Sequence, residues 1–555
     1  MRSRPFLVAA AILGVGISLS ACQSQTPRRA ACPAGEQCLE YGNGADPISV
    51  NPQIATATNE AAILRELFEG MFTDGPDGAP VKGVAQSYQT SPDGLVWTFH
   101  LRPDAVWSDG QPLTANDFVF AYRHMLDPNT GSTYAYLLYV LKNAAAVNEG
   151  KAAPETLGAK ALDARTLQLT LEHPASYLPQ LLKHQSFFPI PEHVVRRWGE
   201  KWATPGKLVG NGPYLLKEWK LGDYLRIEKN PRYHDAASVC FDRVNFYPIT
   251  DAVAGERRAL RGELDINGGI QPSRVARLRA NPDWKRYVRI HSYLSTGYMI
   301  FNTRDVPALR DVRVRQAISM ALDRRFITDK IFQGAGQVPT TAFVPVGIAG
   351  YVPLSERPKA FWADWPYAQR QAEARRLLAA AGYSPGQPLK LQFKTFNNPT
   401  SLEVIQSIQA DLKSVGVETT IRQEDGIVAL QSFENRDFEL GNAAWVADYD
   451  DPTTFLGLMK SGTGAQNYGD FKNPAYDALL DKADNEPDAG RRARYLAQAE
   501  QLMLDAADVA PIDNGVNLNL VSPKIGGWVD NDVDVHPIRY LCRNDAAHKV
   551  SNPAG

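Results

Sequence analysis

Residues 389–422 read LKLQFKTFNNPTSLEVIQSIQADLKSVGVETTIR. Within this stretch 389–393 is a strand, 402–412 a helix and 417–422 a second strand. A strand, a helix and a strand at this spacing make a crossover unit, which implies an α/β sheet. The pattern extends outward from there. Residues 372–381 form a strong helix, closed by Gly382 at the position where a left-handed residue ends helices. From Asp311 onward Val314, Ala317, Ile318, Ala321 and Leu322 recur at helical spacing. Further upstream Leu167, Leu169 and Leu171 mark a strand stopped by Pro174. Trp97, Phe99 and Leu101 share one face of a strand over 96–102. Ser108-Asp109-Gly110 is a turn, and Thr114 with Asp117 resembles a capping box opening a helix through Phe118, Ala121, Tyr122 and Met125. Downstream, strand character returns over 516–521. No internal repeat is present.

The chain has 555 residues, 44% hydrophobic and 22% charged, enough for three or four domain-sized units with a large core. The formal net charge of -2 gives no basic surface for phosphate neutralisation, so nucleic acid is not an expected partner. Arg324-Arg325 and Arg491-Arg492 fall on helix-like stretches and read as solvated faces. At the N-terminus Arg2 and Arg4 precede an apolar stretch from Phe6 to Leu19, broken by Gly14 and Gly16. It is too short and too rich in small residues for a membrane span, and it reads as the core of a signal peptide over residues 1–21. It runs into Leu19-Ser20-Ala21-Cys22, which resembles the lipobox of bacterial lipoproteins and implies acylation of Cys22 and anchoring in the bilayer. Residues 22–39 read as a tether. Cys32, Cys38, Cys240 and Cys542 remain, an even number in an exported chain, which suggests disulfides. Three pairings are open. Cys32–Cys38 with Cys240–Cys542 is favoured over metal ligation, for which no paired Cys/His spacing exists.

Signatures of catalysis are absent from the sequence: there is no Gly-x-Ser-x-Gly, no His-Glu-x-x-His and no phosphate loop ending in Gly-Lys-Ser/Thr. The nine histidines are scattered, and His184 and His193 read as structural. Asp530, Asp532 and Asp534 look like half of a calcium loop. The expected glycine is Val535 and no glutamate closes the loop, so the segment reads as an exposed acidic turn. An enzyme, a cofactor and a metal site are therefore not expected.

Several ordered stretches point one way. They are Ala45-Asp46-Pro47 with Asn51-Pro52; Glu66-Leu67-Phe68-Glu69-Gly70-Met71; Val96-Trp97-Thr98-Phe99-His100-Leu101-Arg102; Trp107-Ser108-Asp109-Gly110-Gln111-Pro112-Leu113-Thr114; Gly210-Asn211-Gly212-Pro213-Tyr214; Gly262-Glu263-Leu264-Asp265; Asp311-Val312-Arg313-Val314-Arg315-Gln316-Ala317; and Trp445-Val446-Ala447-Asp448-Tyr449-Asp450-Asp451-Pro452. Together, from about residue 40 to about 540, they resemble the extracytoplasmic oligopeptide- and dipeptide-binding proteins of ABC importers, solute-binding protein family 5. The resemblance implies a two-lobed α/β fold of the periplasmic-binding-protein type (type II) with an additional inserted domain. It places a discontinuous domain I at residues 40–68, 194–294 and 516–545, domain II at 69–193, domain III at 295–515 and a tail at 546–555.

The same resemblance assigns roles to residues. Asp448 ends the apolar run 443–447. From the residues alone it is a turn or capping carboxylate; in similar proteins the aspartate of this motif pairs with the peptide's ammonium. Ala444, Trp445 and Val446 would offer backbone and a pocket wall to a peptide added as a strand. Tyr134 matches a contact from the opposite lobe, and Thr58 and Tyr293 match further contacts. Removing one partner of such a buried pair costs about 3–5 kcal/mol. Asp448→Ala is therefore expected to weaken peptide binding about 10²–10³-fold or more. Many other motif residues are turn formers, and Asp451-Pro452 reads as helix N-cap followed by Pro at N1. Asn442, Gly268-Gly269, Asp513-Asn514-Gly515, Ser295 and Val446 depart from the enteric oligopeptide binders. The side-chain pockets and the C-terminal end of the ligand site are thus expected to differ. A cell-wall peptide or a non-peptide ligand such as a nickel chelate, haem, opine or sugar is the alternative. The expected partners are peptides, a permease and an ATPase in the membrane, and the lipid bilayer; the protein is expected in the periplasm or cell envelope, as a monomer.

Overall fold

The computed structural model describes residues 32–384 and 386–544. The expected signal peptide, Cys22 and the tail at 546–555 lie outside the described residues. Among those described, no helix is long and apolar enough to cross a membrane.

Eleven strands of the described chain form one sheet. In chain order they are β1 (Cys38–Gly42), β2 (Tyr214–Lys220), β3 (Tyr224–Lys229), β4 (Arg243–Tyr247), β5 (Ile266–Gly268), β6 (Val288–Phe301), β7 (Val338–Pro339), β8 (Leu389–Phe396), β9 (Val417–Glu424), β10 (Leu440–Val446) and β11 (Val509–Val521). Their spatial order is β9-β8-β10-β6-β11-β5-β1-β4-β3-β2, with β7 beside β11. β1 begins at Cys38, inside the stretch expected as tether, because Cys38 and Leu39 are buried.

Residues 389–422 fold as expected. β8 and β9 pair in parallel over their full length, joined by the helix Pro399–Val415. Asn398 caps that helix, its Oδ1 accepting from Ser401 N–H at 2.8 Å, and Gly416 at φ 99° ends it. Val404, Ile405, Ile408, Leu412 and Val415 form its buried stripe. The sheet here is covered on both faces. Met299 and Phe301 of β6 face one core with Phe393 and Ile405, whereas Tyr298 and Ile300 face another with Trp445 and Phe455.

Two strands run from one lobe into the other. The first half of β6 pairs with the second half of β11, Val288 opposite Leu520, and there β11 also pairs with β5 of the first lobe. The second half of β6 pairs with β10 and with the start of β11 in the second lobe. The register breaks between Ser292 and Thr296, where Gly515 lies so close that an added Cβ would meet Ser295 Oγ at 2.2 Å. The molecule is thus a two-lobed α/β structure.

A separate sheet of four antiparallel strands, Ala85–Thr90, Val96–Leu101, Thr166–Thr170 and Ala159–Asp163, adds a further layer to the first lobe. The helix Ala115–Leu126 covers it and starts at the expected capping box: Asp117 Oδ2 accepts from Thr114 N–H at 2.8 Å. Phe99 and Leu167 share one continuous core with Leu39, Val244 and Ile266 of the main sheet. Cys240 and Cys542 form a disulfide, which ties the C-terminal segment to the first lobe; Cys32 and Cys38 are disulfide-bonded as well. Arg543 adds an ion pair to Asp265 at 2.8 Å and a bond to Cys38 O at 2.7 Å.

Candidate functional site

A cavity of about 770 Å³ lies between the lobes, walled by residues from β1, β5, β6, β10 and β11, by the helix Thr58–Leu67 and by the segment after β11. Thr58, Tyr134, Tyr293, Ala444, Trp445, Val446 and Asp448 all line it, so the structure brings together every ligand-contact residue expected from the sequence.

Asp448 follows the end of β10. Ala447 N–H donates to Leu294 O at 2.8 Å and Asp448 N–H to Thr454 Oγ1 at 3.0 Å, which fixes the backbone where the strand stops. Thr454 belongs to the short helix Thr453–Leu456. That helix starts one residue later than expected, with Pro452 at the cap. Asp451 instead accepts from Thr453 N–H and holds Arg492 through two bonds of 2.8 and 2.9 Å.

The Asp448 side chain is 10% exposed. Tyr134 crosses from the other lobe and donates its O–H to Oδ1 at 3.1 Å, whereas Oδ2 is buried without a partner. Burial pushes the carboxyl up to about 7, against the lowering pull of the Tyr134 hydrogen bond and the Arg65 charge. His184 Nε2 stands 3.9 Å from Oδ1, too far to hydrogen-bond. Ser186 N–H donates to His184 Nδ1, so the proton of the neutral ring sits on Nε2. Burial holds this imidazole down to about 3, and it packs against the Tyr134 ring with centroids 5.4 Å apart. Asp448 is therefore a desolvated acid with one oxygen unsatisfied and no cation in direct contact among the described residues.

The positive charges nearby are already engaged. Asp74 takes Lys183 Nζ at 2.7 Å and Arg65 Nε at 3.0 Å. Glu66, also in the wall, is pushed up to about 7 by burial; its Oε1 accepts from Ile538 N–H and its Oε2 lacks a partner. Burial raises Glu434 as well. The wall is richer in unengaged acids than in unengaged bases, which favours a cationic guest.

β10 supplies a second feature. It pairs with β6 along its whole length, but with β8 only at Leu440 and Gly441. Among the described residues no strand continues the pairing on that side past Gly441, so residues 442–446 have a free edge, of which 443–446 line the cavity. Trp445 is both core and wall: its ring packs beneath β10, and its Nε1–H is buried with no acceptor.

The motifs outside the cavity position it. Gly210 and Gly212 lie against the end of the helix Thr58–Leu67, where an added Cβ would stand 2.1 Å from Leu67 O and 2.6 Å from Glu66 O respectively. Asn211 clasps Glu69 with both ends of its amide, at 3.1 and 2.8 Å. At the other end of the helix Glu60 accepts four backbone N–H groups, those of Ile48, Ser49, Thr56 and Ala57. These contacts aim Thr58, Arg65 and Glu66 at the cavity.

Sequence reading missed Arg65, Glu66, His184, Glu434 and His536 as wall residues. Glu66 lies inside the motif at 66–71, but a carboxylate that will be buried has no mark of its own in sequence. The acidic turn also differs from expectation. Asp530 and Asp532 are exposed, but Asp534 takes a left-handed conformation at φ 52° and turns inward beside His291 and His536. His193 instead pairs with Asp109 at 2.7 Å.

The model of the bacterial extracellular solute-binding proteins, family 5, matches residues 79–467. The chain belongs to this family. A relative in it, the periplasmic oligopeptide-binding protein OppA of Salmonella typhimurium, is 34% identical over 95% of this chain and 96% of its own length. The solved murein tripeptide binding protein MppA of Escherichia coli is 34% identical and superposes with a TM-score of 0.87 over 92% of this chain and 99% of that one. An unliganded open form of MppA, 33% identical, superposes over 92% of this chain and 98% of that one with a TM-score of only 0.67. This family 5 protein is therefore closer in lobe arrangement to the former than to the open form.

Proposed function

We propose that the protein captures peptides between its closing lobes and delivers them to an ABC-type importer. The observation that carries this is Asp448: a buried carboxylate with a free oxygen, at the end of a strand whose edge is unpaired, inside an enclosed cavity. A peptide offers the matching pair of features, an ammonium at its end and a main chain able to continue a sheet. Pairing with the edge at 442–446 uses groups common to every peptide, so side chains of many kinds are accepted. Water in their pockets bridges what the wall does not contact. Tyr134 reaches Asp448 across the cleft, so guest and lobe closure share one carboxylate.

In this proposal the two strands β6 and β11 act as the hinge, flexing where their register breaks near residues 292–296 and 515. Residues 40–68, 194–294 and 516–545 form one lobe with 69–193 added to it, and 295–515 form the other. The lower superposition on the open form of MppA supports a closed arrangement here. The names of the relatives support a place in the periplasm, and the lipobox-like Leu19-Ser20-Ala21-Cys22 supports anchoring through an acylated Cys22.

The test is calorimetric titration of ligand-free protein with a tripeptide, with its N-acetylated form, and with the same peptide against Asp448→Asn. Acetylation and the substitution are each expected to lower affinity at least about 100-fold. Equal affinity for the free and acetylated peptides would remove Asp448 from the role given to it.

A further inference from the structure

A second cluster, with two of its three members in the same wall, has the composition and spacing of a metal centre. His291 lies near the start of β6, and Asp534 and His536 lie in the segment after β11. Their ligand atoms all fall within 4.8 Å of one another. Nε2 of His536 is 3.0 Å and Nε2 of His291 is 3.4 Å from Asp534 Oδ1. Ligands each about 2.1 Å from one ion stand about 3.0 Å apart along an octahedral edge and about 3.4 Å apart along a tetrahedral edge. The two separations suit a coordination shell, and the shorter is also that of a hydrogen bond between His536 and Asp534.

The ring orientations agree. His291 Nδ1 is 3.0 Å from Ser292 O; donating there puts the lone pair of the neutral ring on Nε2, facing Asp534. That Nε2 is buried, makes no hydrogen bond of good geometry and has Asp534 Oδ1 as its neighbour at 3.4 Å. Trp528 stacks on His536 with centroids 3.6 Å apart, and Asn519 Nδ2–H donates to Asp534 Oδ1 at 2.9 Å, so both ligands are held from behind. The side chains of His536 and His291 are only 4% and 9% exposed. Asn531 ties the loop by bonds to Val529 and Val535, which holds Asp534 in its left-handed conformation.

We propose that His291, Asp534 and His536 bind one divalent first-row transition ion of the zinc, cobalt or nickel class. Two imidazoles and one carboxylate select these ions over magnesium or calcium, which take oxygen ligands. Three protein ligands leave coordination positions open, and Asp534 and His536 both line the cavity. A carboxylate or carbonyl oxygen of a guest is therefore the fourth ligand. Ion binding itself does not depend on the guest being a peptide.

The test uses tag-free protein stripped with EDTA and titrated with zinc chloride alone in a non-coordinating buffer, followed by calorimetry and native mass spectrometry. One ion per chain is expected, with at least about 100-fold weaker binding in His291→Gln and in His536→Gln. Cobalt is expected to give a visible absorption band that both substitutions abolish. Thermal melts check that the variants fold; if His536→Gln does not, His291→Gln alone carries the comparison. Asp448→Asn is expected to bind zinc as the wild type does, so failure of the peptide proposal and failure of the ion site read out separately. No saturable zinc binding, or equal binding by wild type and the folded His variants, overturns the proposal.

Discussion

If a peptide ammonium pairs with Asp448 as proposed, the pH dependence of peptide affinity follows from the state of that carboxyl. In the ligand-free protein burial pushes its carboxyl up to about 7. A peptide ammonium against the free Oδ2 would stabilise the charged form and draw the carboxyl back towards the ordinary acid range. The empty protein then holds more protons than the complex, and binding below neutrality must release one. Two pH units below 7, that release costs about 2.7 kcal/mol, or roughly 100-fold in affinity. The peptide's own amino group, near 7.7–8.0 when free, loses its proton at the other end of the range. Affinity for a neutral-side-chain tripeptide is thus expected to rise about tenfold per unit from pH 5 to near 7, to level off, and to decline above 8. Titration calorimetry at each pH, in buffers of different ionisation enthalpy, measures both affinity and protons released. Glu66, Glu434, Asp534 and His536 also face the cavity, and Asp448→Asn isolates the contribution of one carboxyl: its profile between pH 5 and 7 is expected to be shallower than the wild type's, with about one proton fewer released. A flat wild-type profile with no proton release, or an unchanged slope in Asp448→Asn, refutes the reasoning.

Other outcomes follow from the same geometry. A peptide N-methylated at an internal amide cannot complete the pairing with the edge at 442–446, and each lost bond is expected to cost about 1 kcal/mol, roughly fivefold in affinity by titration. Gly210→Ala puts a methyl 2.1 Å from Leu67 O, a backbone atom that cannot swing aside. It is expected to cost about 1–3 kcal/mol in denaturant unfolding and to weaken ligand binding by displacing the helix that carries Arg65 and Glu66. Replacing Cys240 and Cys542 by serine opens a cross-link spanning 302 residues. Chain entropy puts the loss at about 5–6 kcal/mol, seen as a lower melting temperature, with ligand affinity changed little in the protein that remains folded.

The α/β class was legible locally. In 389–422 the strand, the capped helix and the Gly416 stop are dictated by residues within a few positions of one another, and backbone geometry there needs no distant partner. The capping box at Thr114 and Asp117 was legible for the same reason. Asp448, Tyr134 and Trp445 came into view through resemblance, because a motif at the end of a strand carries its neighbours with it. Residue types alone left Asp448 as a turn carboxylate. What makes it unusual is Tyr134 on the far side of the cleft and the layers that exclude water, neither of which is near it in the chain.

Long-range burial decided the rest. Glu66 and Asp448 become weak acids only where packing removes their solvent, and Arg65 and Lys183 are silenced only because Asp74 folds between them. His291 meets Asp534 and His536 because β6 and the segment after β11 are brought together across the sheet. An aspartate counted as part of an exposed turn points inward because its own backbone reverses. Sequence by itself determined the elements, their caps and the order in which they are strung. The tertiary structure alone decided which charges lose their water and face one another, because desolvation is a property of everything packed around a group and leaves no mark on the group's neighbours in the chain.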